Sequence, residues 1–115
     1  MEKELEYFIE QFADLKILRY KLNDFEKFSL DEKIFMYYLS QAAISGRDIL
    51  WDQNYRHNLK IRRLLENLYK SFSGNRSTND FKLFEEYFKR ILFSNGIHHH
   101  YSMDKIMPKF SKKYL

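Results

Sequence analysis

The chain has 115 residues, 44% hydrophobic and 31% charged, so we expect one globular domain rather than a disordered chain. It contains no cysteine, which excludes a disulfide scaffold, thiolate zinc sites and a cysteine nucleophile. The net charge is +4, and the basic residues are interleaved with acidic ones, which disfavours a nucleic-acid-binding patch. No apolar run reaches the ~18 residues that span a bilayer, so we expect a cytoplasmic protein with no membrane partner.

The N-terminal residues contain two different patterns. From Glu4 to Ala13, the apolar residues Leu5, Phe8, Ile9 and Phe12 have the spacing of one helix face. The following stretch, LKILRYKL, alternates apolar and charged residues over positions 15–22 and predicts a short strand or an extended segment.

The stretch SLDEKIFMYYLSQAAISG predicts the first long helix. Ser29 and Glu32 have the spacing of a capping box, in which each satisfies a free N–H group of the other. A wide apolar band follows, and Gly46 is placed where a left-handed residue commonly ends a helix.

A second long helix is predicted from Leu59 to Phe72, with Asn58 as its N-cap and Gly74 after its end. Just before it, residues 47–55 place several polar groups around Trp51. Within this group Arg47, Asp48 and Asp52 suggest a structural ion-pair network; a surface for a second domain is the alternative.

The third long helix is predicted over DFKLFEEYFKRILFSNG, with Ser77 or Thr78 as its cap and Asn95-Gly96 as its end. After it, one helical turn could form before Pro108. The expected fold is therefore all-α: a single domain over residues 1–115, built as a bundle of three long helices with short terminal pieces and an extended segment near 15–22.

Three consecutive histidines, His98 to His100, follow the Asn-Gly end of the third helix. In an extended chain His98 and His100 point one way and His99 the other, so a metal site would need His57 as a third ligand. An expression tag is disfavoured because the run is short and internal. The alternatives are packing under the helix C-terminus, with hydrogen bonds to its last carbonyls, or a place at an interface or cleft edge.

Motifs of catalysis are missing from the sequence. No serine lies in G-x-S-x-G, no glycine-rich loop could hold phosphate, and the acidic pair Glu85-Glu86 is predicted on an exposed helix face.

Three segments carry a family resemblance: FADLKILRYKL, SGRDILWDQNYRHNLKIRRLLENLY and FKRILFSNGIHHHY. Together they resemble the N-terminal part of the bacterial dipeptidyl-peptidase III family of zinc metallopeptidases, over about Phe12 to Phe110, and the combination of GRDILWDQ with NGIHHHY is the specific part. These enzymes are two-lobed and remove dipeptides from peptide N-termini. Their zinc is held by H-E-x-x-x-H and by a glutamate of E-E-x-R-A-D, and neither motif occurs here.

The resemblance implies that this chain holds no zinc ligand and no catalytic residue, while zinc belongs to the parent enzyme. It also implies a structural or cleft-edge role for ten signature positions: Arg47, Asp48, Asp52, Gln53, Asn95, Gly96, His98, His99, His100 and Tyr101.

The implied function is an N-terminal domain or fragment that is inactive alone. Its expected partner is the remaining catalytic lobe, or a second copy through the aromatic residues, which make up 18% of the chain. A standalone helical interaction module is the alternative, and a weak nucleic-acid binder is a less favoured one.

Overall fold

The structure is a computed structural model that describes residues 6–114, and it is mostly helical with one small antiparallel sheet. Strands β1 (Phe8–Phe12) and β2 (Leu15–Leu18) precede a 3-10 helix (Phe25–Lys27). Four α-helices follow: α1 (Leu30–Ser45), α2 (Arg47–Asn54), α3 (Asn58–Ser71) and α4 (Asn79–Ser94). The three predicted long helices are confirmed as α1, α3 and α4, but the sheet makes the expected all-α class too narrow.

The chain divides into two compact units, Met1–Ser45 and Gly46–Leu115. No helix within residues 6–114 is both long enough and apolar enough to cross a bilayer.

The first unit contains the hairpin of β1 and β2, in which Phe12 pairs with Leu15 and Phe8 with Leu18. Ala13, at φ 49°, allows the tight reversal between the strands. The extended segment predicted after residue 14 is confirmed by β2. The helix predicted over Glu4 to Ala13 was wrong in its described part, because Phe8–Phe12 is the partner strand of β2.

Helix α1 starts with the predicted capping box. The Glu32 carboxylate accepts from the Ser29 backbone N–H and hydroxyl, both at 2.8 Å, and the Ser29 hydroxyl accepts from the Glu32 N–H at 3.3 Å. The predicted left-handed end at Gly46 was wrong: Gly46 has right-handed helical angles and leads directly into α2. No described side chain of the first unit is buried.

The second unit contains the hydrophobic core. From α4, Phe81, Phe84, Phe88 and Ile91 are buried at steps of three and four residues. Trp51 from α2 and Leu65 from α3 join them, together with Ile106 and Phe110 from the C-terminal segment. At roughly 1.5–3 kcal/mol for each side chain, this burial is the main stabilising contribution to the unit.

The termini of α3 and α4 test the predicted caps. Thr78 caps α4, since its hydroxyl accepts from the Phe81 N–H at 3.3 Å. Asn58 was wrongly predicted as a cap: it is the first residue of α3, with His57 before it. The helical turn predicted before Pro108 does not form, because residues 104–106 pair with residues 97–99 instead, through the Ile106 N–H to the Ile97 carbonyl at 2.8 Å.

Candidate functional site

The end of α4 fixes the start of the histidine segment. Asn95 has φ 53°, and its N–H donates to the Leu92 carbonyl while the Gly96 N–H donates to the Ile91 carbonyl at 3.2 Å. This Schellman arrangement satisfies the carbonyls of Ile91 and Leu92 with backbone groups. At these two carbonyls, backbone N–H groups therefore take the place that the sequence analysis considered for the histidines.

Asn58 links the two segments that form the specific part of the family resemblance. Its side chain is fully buried (0% exposed). The amide nitrogen donates to the carbonyl of Trp51 at 3.1 Å and to that of Asn95 at 3.5 Å, and the amide oxygen accepts from the Ile97 N–H at 3.2 Å. Asn54, at the end of α2, also donates to the Asn95 carbonyl at 3.4 Å. GRDILWDQ and NGIHHHY, far apart in sequence, therefore meet at one buried amide.

Gly96 is required by this same arrangement. It is buried, and a Cβ at this position would overlap the side-chain amide of Asn58. Its φ of 155° also lies outside the range that L residues favour. The position of the Asn58 side chain therefore requires a residue without a Cβ at position 96.

The histidines form the first strand and turn of a tight hairpin. His98 bridges Lys105, and the His99 N–H donates to the Asp104 carbonyl at 2.9 Å, after which the chain turns through residues 100–103. Because only the start of the run is extended, His98 and His100 contact different rings. The ring of His98 lies edge-on to Tyr55 at 5.6 Å, whereas His100 packs against Phe93 at 5.3 Å.

A cavity of about 70 Å³ opens beside this hairpin. That volume has room for about two water molecules or one small polar group. Buried next to it, Nδ1 of His98 has no hydrogen-bond partner within the described residues. The cavity is lined by Asn54, Gly96, His98, His99, His100 and Met103. It offers imidazole and amide groups to a small polar group.

The metal arrangement considered for His57, His98 and His100 is not formed. Tyr55 stands between two of these rings, at 5.1 Å from His57 and 5.6 Å from His98. Nε2 of His57 accepts from Arg56 at 2.9 Å. In the part of the chain that the structure describes, no three His, Asp or Glu side chains converge to hold a metal ion.

The α2 signature residues have separate environments. Asp48 lies between two arginines, 3.9 Å from Arg47 Nε and 2.9 Å from Arg62 of α3. Asp52 is exposed and takes no part in this network, so the predicted trio of Arg47, Asp48 and Asp52 is only partly correct. Gln53 is also exposed. Within residues 6–114, no hydrogen bond or ion pair joins these residues to the histidines.

Arg62 is the arginine that sequence reasoning missed. It donates to Glu66 at 2.7 Å and to Asp48 at 2.9 Å, and its guanidinium lies 5.3 Å from the Trp51 ring centre. The hydrogen bond to Glu66 is the main cause that raises the pKa of Arg62 above its ordinary value. Arg62 therefore connects α2, α3 and the core Trp51.

Tyr101 completes the exposed edge of the hairpin. Its ring lies 4.6 Å from His100 and 5.4 Å from His99, and it is 74% exposed. Together with exposed Phe93 and Met103, it gives this side of the unit an aromatic and thioether surface.

No protein-family model and no curated protein matches this chain.

Proposed function

We propose that this chain is the N-terminal, non-catalytic helical part of a dipeptidyl-peptidase III-like zinc metallopeptidase, and that it has no peptidase activity alone. In this proposal its role is architectural. The zinc, its ligands and the residue that activates water belong to a separate catalytic body, because H-E-x-x-x-H and E-E-x-R-A-D do not occur in this sequence.

The observation that carries the proposal is the meeting of the two signature segments at Asn58. A resemblance based on two short motifs has more weight when both belong to one structural unit. Here the carbonyl of Trp51, within GRDILWDQ, and the N–H of Ile97, within NGIHHHY, bind the same buried side chain. The glycine of the second segment, Gly96, is explained by its close approach to Asn58 as well.

A second observation supports the need for a larger body. The first unit has an apolar helix but no buried side chain among its described residues. Monomeric soluble proteins seldom leave contiguous apolar surface of this kind uncovered. A surface that packs against a catalytic lobe accounts for it.

The activity test uses the purified chain with zinc and a chromogenic dipeptidyl substrate. We expect no turnover, while an intact bacterial dipeptidyl-peptidase III, as the matched control, hydrolyses the substrate in the same buffer. Turnover by the chain that a chelator abolishes would contradict its assignment as non-catalytic. The coding sequence provides a second test: an in-frame H-E-x-x-x-H downstream supports the parent activity.

The alternative is a standalone helical interaction module. The exposed aromatic and methionine surface at Phe93, Tyr101 and Met103 favours it, since such side chains are enriched at interfaces. Stable association with a partner that carries no peptidase motif would favour this alternative over the first proposal.

A further inference from the structure

A cavity larger than the one beside the histidines lies where helices α3 and α4 meet the C-terminal segment. Its volume is about 170 Å³. All of its lining residues belong to Gly46–Leu115, so the cavity lies within one compact unit. The lining consists of Leu68 from α3, Phe72 just after that helix, Phe81 and Phe84 from α4, and Tyr114 from the C-terminal segment.

The size of this cavity suggests a ligand. Protein interiors are packed as densely as organic crystals and contain few voids larger than one water molecule. An apolar cavity of roughly 150 Å³ in another protein stays dry and accepts benzene. Here Phe81 and Phe84, which are 2% and 3% exposed, hold two of the walls in the hydrophobic core. The space therefore suits a six-membered ring with a short substituent.

The walls of the cavity favour an aromatic ring. Phe72 stacks on Phe81 with the ring centres 4.7 Å apart, and the ring centres of Phe81 and Phe84 are 5.9 Å apart. The Tyr114 ring centre lies 6.3 Å from that of Phe72. Aromatic pairs attract one another at such separations, so a further ring in the cavity gains the same contacts. None of the five lining side chains is charged, and a charged ligand would lose its hydration without compensation.

Tyr114 supplies the one polar group among the lining side chains. Its hydroxyl is buried and has no hydrogen-bond partner within residues 6–114. A buried hydroxyl without a partner costs free energy. A water molecule is a poor partner here, because a buried water needs about two to four polar groups and the lining side chains offer one. A ligand with an apolar ring and a single acceptor suits both the walls and the hydroxyl.

We propose that this cavity is a binding site for a small uncharged aromatic molecule that carries one hydrogen-bond acceptor, with about seven to nine non-hydrogen atoms. The ring lies against Phe72, Phe81 and Phe84, and the acceptor receives the hydrogen bond of the Tyr114 hydroxyl. This site goes beyond the architectural role proposed above and does not depend on it.

The test titrates the full chain with acetophenone, which has a phenyl ring and one carbonyl acceptor. Isopropylbenzene, of the same size and without an acceptor, is the comparison ligand. Tyr114→Phe removes the hydroxyl and keeps the ring. Leu68→Trp fills the cavity, and Leu64→Trp, at an exposed position of the same helix, is its matched control. NMR chemical-shift titration gives the dissociation constants, and intermolecular NOEs locate the ligand.

We expect acetophenone to bind the natural chain with a dissociation constant below about 1 mM, which is an ordinary affinity for nine non-hydrogen atoms. NOEs should connect it to the rings of Phe81 and Phe84. Tyr114→Phe should weaken acetophenone binding at least threefold and leave isopropylbenzene binding unchanged. Leu68→Trp should abolish binding of both ligands, while Leu64→Trp should retain it.

Three results would overturn the proposal. The first is the lack of saturable binding to the natural chain. The second is a set of NOEs to the exposed rings of Phe93 and Tyr101 instead of the cavity walls. The third is an equal effect of Tyr114→Phe on the two ligands, which would show that the hydroxyl does not bind the acceptor. The natural chain and Tyr114→Phe decide the outcome if Leu68→Trp does not fold.

Discussion

Asn58 uses both ends of its side-chain amide inside the protein, and no water can replace these bonds at a fully buried position. We predict that Asn58→Ala lowers the free energy of unfolding by about 1–3 kcal/mol, because it leaves the Ile97 N–H without its acceptor and removes one of the two donors to the Trp51 carbonyl. Urea denaturation followed by circular dichroism measures this. The control is Asn67→Ala, at an exposed position of the same helix. A loss below about 1 kcal/mol would contradict the role assigned to this amide.

Gly96 gives a second prediction at the residue scale. Gly96→Ala should destabilise the protein by about 2–4 kcal/mol, through overlap with Asn58 and through the unfavourable backbone angle. In the Asn58→Ala background the overlap disappears, so the cost of Gly96→Ala should fall clearly below its cost in the natural sequence. A double-mutant cycle measures this difference. Strict additivity would show that the two residues do not interact as described.

Arg62 supports the junction of two helices, so its prediction belongs to the scale of elements. We expect Arg62→Met, which retains an apolar stem, to cost about 1–2 kcal/mol, because Glu66 loses its partner, Asp48 keeps only its longer contact with Arg47, and Trp51 loses the guanidinium. Arg63→Met is the matched control, since Arg63 is the exposed neighbour. Equal effects of the two substitutions in thermal unfolding would argue against a specific role for Arg62.

The first turn of α1 should respond to acid. The Ser29 backbone N–H, and then its hydroxyl, lower the pKa of Glu32 from its ordinary value near 4.5. A carboxylate with a lowered folded pKa stabilises the helix start above its unfolded pKa, and this contribution is lost as the pH falls through the folded pKa. NMR titration of the Glu32 carboxyl should show this lowered midpoint, and Ser29→Ala should raise it. Ser40→Ala, in the same helix, should leave it unchanged.

The predictable elements are those whose signals are local. The Ser29–Glu32 box, the Thr78 cap and the Asn95-Gly96 end each depend on residues within a few positions of one another. The error at Phe8–Phe12 has the opposite cause: its apolar spacing suits a helix, and the pairing with Leu15–Leu18 decided the outcome. At Gly46, a glycine that commonly ends a helix in the left-handed conformation is right-handed instead, because α2 begins at the next residue.

The candidate site was predictable in location but not in its central residue. The histidine run and the Asn-Gly end were visible in the sequence, whereas Asn58 was interpreted as an ordinary cap. One signal could have identified it: Asn58 lies seven residues before Leu65, on the apolar side of α3, where an amide needs buried partners. Which carbonyls it binds depends on how α2 and α4 end, and no local pattern contains that information.

For the whole molecule, the two units should differ in independence. Among residues 6–114, all eight buried apolar side chains lie in the second unit, Gly46–Leu115. We predict that a fragment of residues 46–115 retains dispersed amide NMR signals and unfolds cooperatively, whereas residues 1–45 alone do neither. Collapse of the dispersion in the longer fragment would show that its core depends on the first unit.

The described residues of the first unit, 6–45, include no buried side chain, and this has a consequence during synthesis. Residues 30–45 leave the ribosome before any of the side chains that pack in Gly46–Leu115. An apolar helix that is exposed during synthesis is prone to aggregation and to chaperone binding. In the assembly that we propose, the order of translation makes the supply of the partner, rather than the speed of helix formation, the step that limits the yield of correctly assembled protein.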